Sequence, residues 1–347
     1  MFVDADFPAD PYPGTRPACS FVHEAGRGRP LVPVAPWRWR VEGADLDDWL
    51  LARGAPGLAA RVPLLAYGSN ANPAKISWLR TRLGLRGPVV VLKARTTGLA
   101  AVWAAHLRVR DGQRPATLAA EPGRVEEHAV WLATVDQVGV LDRCEGRGVR
   151  YRLVRLVSGT VTTDDGTGLD GVLAYTAAGG LRAPLLVAGS PVRCADVPQA
   201  AAVDLVGEPG PDGLDIAPIS GAPSPDDWPD RVFVYGTLQP SGLAWHRIEA
   251  HVIGEPVATR LPGTLYDTGQ GYPALHADPN GPGVPGWTLR LDSPATALAA
   301  LDHYEGDDYQ RIRVVDAAGR LCWTYVWTAD VGGLVRLAHG WPARQAD

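Results

Sequence analysis

Cysteine is scarce in this chain and scattered: Cys19, Cys144, Cys194 and Cys322 stand far apart and form no C-x-x-C pair. That spacing fits neither a zinc cluster nor a disulfide framework. Positive charge is not in excess, with 33 Lys and Arg against 38 Asp and Glu and a formal net charge of -5. Without an excess positive field there is little to draw in a polyanion, so no nucleic-acid partner is expected. Local clusters such as Trp37-Arg38-Trp39-Arg40 read as solvated faces. No apolar run reaches the roughly 18 to 20 residues of a membrane span, and the start, Met1-Phe2-Val3-Asp4, lacks a basic segment followed by an apolar one. A cytoplasmic protein with no membrane partner is expected. His246, His276 and His303 are not at ligand spacing, so no metal site is expected.

What is present is a globular composition, 46% apolar and 20% charged, over 347 residues, enough for two domains that each bury a core. Residues 1–60 read as a Pro/Gly/Arg-rich extended arm followed by a short helix capped by Asp45. A first domain is expected over 61–204, opening on the apolar strand Val62-Pro63-Leu64-Leu65-Ala66-Tyr67. Residues 205–230, dense in Pro, Gly and Asp, read as a linker, and a second domain is expected over 231–347.

The two parts repeat one another in order. Leu65-Ala66-Tyr67-Gly68-Ser69 lies opposite Phe233-Val234-Tyr235-Gly236-Thr237, and Leu141-Asp142-Arg143-Cys144-Glu145-Gly146 lies opposite Leu301-Asp302-His303-Tyr304-Glu305-Gly306. Tyr151 then falls opposite Tyr309, and Tyr175 opposite Tyr325. Landmarks in one order at near-equal spacing argue for duplication of a whole domain.

A strand that ends in Tyr67-Gly68-Ser69-Asn70 or Tyr235-Gly236-Thr237-Leu238 leaves successive N–H groups in a tight turn, where they can converge on an anion or a carbonyl oxygen. Alone, such a turn is usually only a turn. Glu145 and Glu305 each end a predicted helix just before a glycine, beside apolar residues that would shield the carboxylate and raise its pKa toward that of a useful acid or base. The plain alternative is a surface glutamate at a helix end. Cys144 has no evident histidine partner and reads as a packing residue.

These motifs together resemble the gamma-glutamylcyclotransferase-like superfamily in both halves, and its gamma-glutamylamine cyclotransferase (AIG2-like) branch in the second. The second half carries Phe233-Val234-Tyr235-Gly236-Thr237-Leu238, Pro262-Gly263-Thr264-Leu265-Tyr266-Asp267, Gly271-Tyr272-Pro273-Ala274 and the segment from Leu301 to Gly306 with Tyr309. The first carries Tyr67-Gly68-Ser69-Asn70, Pro115-Ala116-Thr117-Leu118, and the segment from Leu141 to Gly146 with Tyr151. The resemblance implies an α+β chain of two tandem mixed β-barrel domains with flanking helices, packed on each other. It implies Glu305 and Glu145 as proton-shuttling residues. It also implies substrate binding at Tyr235, Gly236, Thr237, Leu238 and Tyr309, and at Tyr67, Gly68, Ser69, Asn70 and Tyr151. The implied partner is a small γ-glutamyl amine or γ-glutamyl amino acid, cyclised to 5-oxoproline with release of the amine, a reaction that needs no metal or cofactor. The reading that stands against it is a non-catalytic two-domain binding protein for a small carboxylate or amide. Oligomeric state and leaving group are not read from the sequence.

Overall fold

The computed structural model of the chain describes residues 1–342. It separates into two compact units, Met1–Val34 with Arg38–Pro223, and Ala35–Trp37 with the chain from Ser224 onward.

The first unit is organised by the Val62–Ala66 strand, every residue of which is buried. On one side it pairs antiparallel with Ala116–Ala133, and on the other parallel with Leu173–Ala177, which in turn pairs antiparallel with Tyr151–Leu156. A strand buried on both faces reads as a continuous apolar run, as this one does. Val89–Trp103 and Ala116–Ala133 form a long hairpin whose register shifts between Thr97 and Leu99, at Gly98 with φ 82°. The bulge bends the ribbon.

Two helices pack on this sheet. Pro73–Leu83 starts with Pro73 in its first turn and with Asn72 accepting from the Lys75 N–H at 2.8 Å, and Gly84 follows it. Val135–Glu145 starts on a capping box in which Thr134 and Gln137 satisfy each other's backbone N–H groups at 3.3 and 3.2 Å. Gly146, at φ 66°, takes the left-handed conformation that ends the helix. Glu145 is thereby fixed as the last helical residue.

In the second unit, Arg231–Val234 pairs antiparallel with Val284–Arg290 and parallel with Leu321–Trp327, which pairs antiparallel with Tyr309–Val315. The helix Pro294–Glu305 ends at Gly306 (φ 62°), so Glu305 also closes its helix. Leu141 and Leu301, both fully buried, seat the two helix ends. Truncating either to Ala would cost about 2–5 kcal/mol.

The barrel expected from the resemblance is not formed. Among the described residues the main sheet of the first unit is open, running from the two-residue edge strand Phe2–Val3 to Ile216–Pro218. In the second unit the strands divide into a five-stranded sheet and a separate three-stranded one. The division falls at Pro262, between Val257–Leu261 in the first sheet and Gly263–Asp267 in the second. Proline has no N–H to donate to a ladder, and a barrel closes only when every edge is paired at a consistent shear.

The N-terminal region does more than extend. Phe21–Glu24 and Arg27–Pro30 form a hairpin that joins the main sheet along Val89, Val90 and Val91. The segment read as a linker holds two short strands, Glu208–Pro209 and Ile216–Pro218. No helix among the described residues is long and apolar enough to cross a membrane.

Candidate functional site

The parallel strand pair and the helix end meet at a cavity in each unit. The second-unit cavity, about 220 Å³, is lined by the turn from Tyr235 to Leu238, by Tyr304, Glu305 and Tyr309 from the helix end and the strand after it, and by Pro273 opposite. Gly236 lies so close to Pro273 that an added Cβ would stand 3.0 Å from its ring, which would have to give by a few tenths of an ångström to admit a side chain.

Hydrogen bonds fix the walls. The Tyr235 hydroxyl donates to the Tyr325 carbonyl at 2.7 Å, and the Tyr325 hydroxyl donates to Asp302 Oδ1 at 2.7 Å. Tyr309 donates to the Pro273 carbonyl at 2.7 Å. The Thr237 and Tyr304 hydroxyls share a bond at 3.0 Å. Burial pushes the Glu305 carboxyl up from 4.5 to about 7, and burial together with the Glu305 charge holds the Tyr309 and Tyr235 phenols well above their usual value. At neutral pH Glu305 is therefore divided between acid and base beside two phenols that remain donors.

The first unit repeats the frame. Tyr67 donates to the Tyr175 carbonyl at 2.6 Å, Tyr175 to Asp142 Oδ1 at 2.6 Å, and Tyr151 to the Ala116 carbonyl at 2.8 Å. Asp142 pairs with Arg147 at 3.1 Å as Asp302 pairs with Arg311 at 2.9 Å. The carboxylate is held differently, because Asn70 Nδ2 donates to Glu145 Oε1 at 2.9 Å. The Asn70 backbone is in turn pinned by Trp131 Nε1 at 3.0 Å. The cavity is larger, about 340 Å³, and is lined by Tyr67 to Asn70, Glu145 and Tyr151, with Tyr12 from the N-terminal region. Tyr12 accepts from the Ala116 N–H at 3.0 Å, and a Cβ on Gly68 would meet its hydroxyl at 2.9 Å.

All twelve residues singled out in the sequence thus line one or other cavity. The tyrosine–aspartate pairs were missed as site residues, although Tyr175, Tyr325, Asp142 and Asp302 all lie in the repeated segments. No sequence signal pointed to Tyr12 or to Arg182, which lie outside those segments. Cys144 lines the first cavity, and burial raises its thiol pKa, which disfavours the thiolate.

Each unit is therefore a sheet-and-helix body whose helix-end glutamate shares a cavity with a glycine turn. Residues 232–343 match the family described as gamma-glutamyl cyclotransferase, AIG2-like. No curated protein matches the chain. Among solved structures, an AIG2-like protein from mouse is 19% identical over 32% of this chain and 86% of its own, with a TM-score of 0.27. A uropathogenic E. coli-specific protein is 18% identical over 31% and 87%, at 0.28. YkqA from Bacillus subtilis is 18% identical over 78% and 85%, at 0.25. TM-scores this low define neither a shared overall fold nor a shared activity.

Proposed function

We propose that the second unit is a cyclotransferase that converts a γ-glutamyl amine or γ-glutamyl amino acid to 5-oxoproline and the free amine. The observation that carries this reading is Glu305, a carboxyl with a pKa of about 7 in the same cavity as the Tyr235–Gly236 turn. The name of the family matched by residues 232–343 supports it.

The chemistry needs one proton shuttle. Glu305 takes a proton from the substrate α-ammonium, and the freed amine attacks the γ-carbonyl carbon to close a five-membered ring. The backbone of Gly236, Thr237 and Leu238 receives the oxyanion that forms. Glu305 returns its proton to the leaving nitrogen, the original amide bond breaks, and the second proton that the ring nitrogen sheds on becoming a lactam N–H ends on the released amine, which leaves as its ammonium. The nucleophile is tethered to its electrophile, so the protein supplies orientation and proton transfer and no water is consumed.

In the first unit Asn70 already occupies one oxygen of Glu145, which favours binding over turnover there. We infer that the two units are diverged copies of one ancestral domain, on the recurrence of strand order, parallel pair, helix end and tyrosine contacts. The reading is tested by incubating the full chain with a panel of γ-glutamyl amines and γ-glutamyl amino acids and detecting 5-oxoproline by mass spectrometry. 5-Oxoproline with an equal amount of amine is expected. Free glutamate in its place would mean that water attacks, and no product across the panel would leave the binding reading.

A further inference from the structure

The two cavities share a frame and differ in charge. The second is lined by Glu305 and Asp308 and by no lysine or arginine. The first places Lys75, Arg108, Arg110, Arg150 and Arg182 around Glu145.

Arg108 and Arg110 are both paired with Asp111, at 3.0 and 3.1 Å. Arg150 donates to the Glu145 and Cys144 backbone carbonyls at 3.0 and 2.8 Å, contacts that orient its guanidinium without neutralising it. The Lys75 ammonium lies 3.7 Å over the Trp78 ring. Counting Asp111 and Glu145 against the five cations, the cavity keeps a surplus of positive charge.

Arg182 is the most informative of them. It stands on the short turn Gly180–Arg182, just beyond the Leu173–Ala177 strand, and is only 6% exposed. Its Nη1 donates to the Leu181 carbonyl at 3.0 Å, and its guanidinium stands 5.9 Å from the Tyr151 ring centroid. Its Nε is buried with no hydrogen-bond partner, and no ion pair engages it among the described residues. Arginine does not shed its charge on burial, so a guanidinium in this setting is costly unless an anion completes it. Its planar donor fork matches the two oxygens of a carboxylate.

We propose that the first-unit cavity is a binding site for a small dicarboxylate, with one carboxylate on Arg182 and the other among Lys75 and the remaining arginines. This inference does not depend on the cyclisation proposed for the second unit. The second cavity, acidic and free of cations in its lining, would reject the same ligand.

The test is isothermal titration of the full chain with glutarate, with its neutral counterpart glutaramide, and with inorganic phosphate, at low ionic strength. Glutarate is expected to bind, glutaramide at least about 10-fold more weakly, and Arg182→Gln to weaken glutarate by about 10- to 100-fold. Lys75→Met, at a half-buried helix position that lines the cavity, is expected to weaken glutarate severalfold. Equal binding of glutaramide, unchanged affinity in Arg182→Gln, or phosphate binding tighter than glutarate would each overturn the assignment. Without ligand, Arg182→Gln should melt no lower than the wild type, because it removes an unpaired buried charge. A melting temperature lowered by several degrees would make Arg182 a structural brace and sink the proposal. The assay does not use turnover, so a chain that binds glutarate through Arg182 but forms no 5-oxoproline would keep this inference and lose the other.

Discussion

Glu145 and Glu305 end equivalent helices, before equivalent glycines, beside equivalent tyrosine–aspartate contacts, yet they are in different chemical situations. Asn70 donates to Glu145, while the position matching Asn70 is Leu238, and there burial holds Glu305 near neutrality. The backbone frame therefore does not set the chemistry. What differs is the side chain in the turn, Asn70 against Leu238, and the cations that line the first cavity but not the second.

The largest expected effect sharpens this contrast. Glu305→Gln should lower 5-oxoproline formation by about 10²- to 10⁴-fold, the usual contribution of a positioned acid/base, while Glu145→Gln should leave it within about twofold. Loss that follows Glu145 instead would invert the comparison.

A second change tries to move one unit toward the other. Leu238→Asn places the first unit's amide beside Glu305, where hydrogen bonding to the charged form lowers a carboxyl pKa. The acid limb of the kcat/KM profile is expected to move from about 7 in the wild type to about 6 in the variant. An unmoved limb would show that the turn residue does not control the carboxylate.

Tyr175→Phe and Tyr325→Phe probe the shared frame. Each removes a hydroxyl that donates to a carboxylate, Asp142 or Asp302, and should cost about 1–3 kcal/mol in denaturant unfolding. Similar losses are expected in the two units, and a large asymmetry would break the claim of a common frame.

The smallest effect is on the pH dependence of stability. Folded Glu305 keeps its proton up to about 7, whereas the unfolded side chain releases it near 4.5. Over that window the folded state binds more protons, so stability falls as pH rises, by about 1–2 kcal/mol after allowance for partial solvent exposure. Glu305→Gln should flatten that part of the curve when unfolding is measured from pH 4 to 8.

Much of the site was legible because it lies where local signals are strong. Gly146 and Gly306 mark helix ends, and that places Glu145 and Glu305. The Tyr-Gly turns follow apolar strands that only a buried central strand would carry. What stayed hidden depends on long-range pairing. The Phe21–Pro30 hairpin reads as irregular because Gly26, Arg27, Gly28, Arg29 and Pro30 carry no strand pattern, and only docking along Val89, Val90 and Val91 gives it one. Arg182 looks like one arginine among many until folding buries it at the first cavity. The open sheets were missed because motif resemblance reports which strands occur, whereas closure depends on how edges pair and on a break such as Pro262.

The most direct measurement is a ¹³C-detected NMR titration of the glutamate carboxyls in the full chain, with Glu305 assigned by comparison with Glu305→Gln. A Glu305 midpoint near 7 is expected from its burial, while a midpoint near 4.5 would contradict the account of a carboxylate poised for proton transfer.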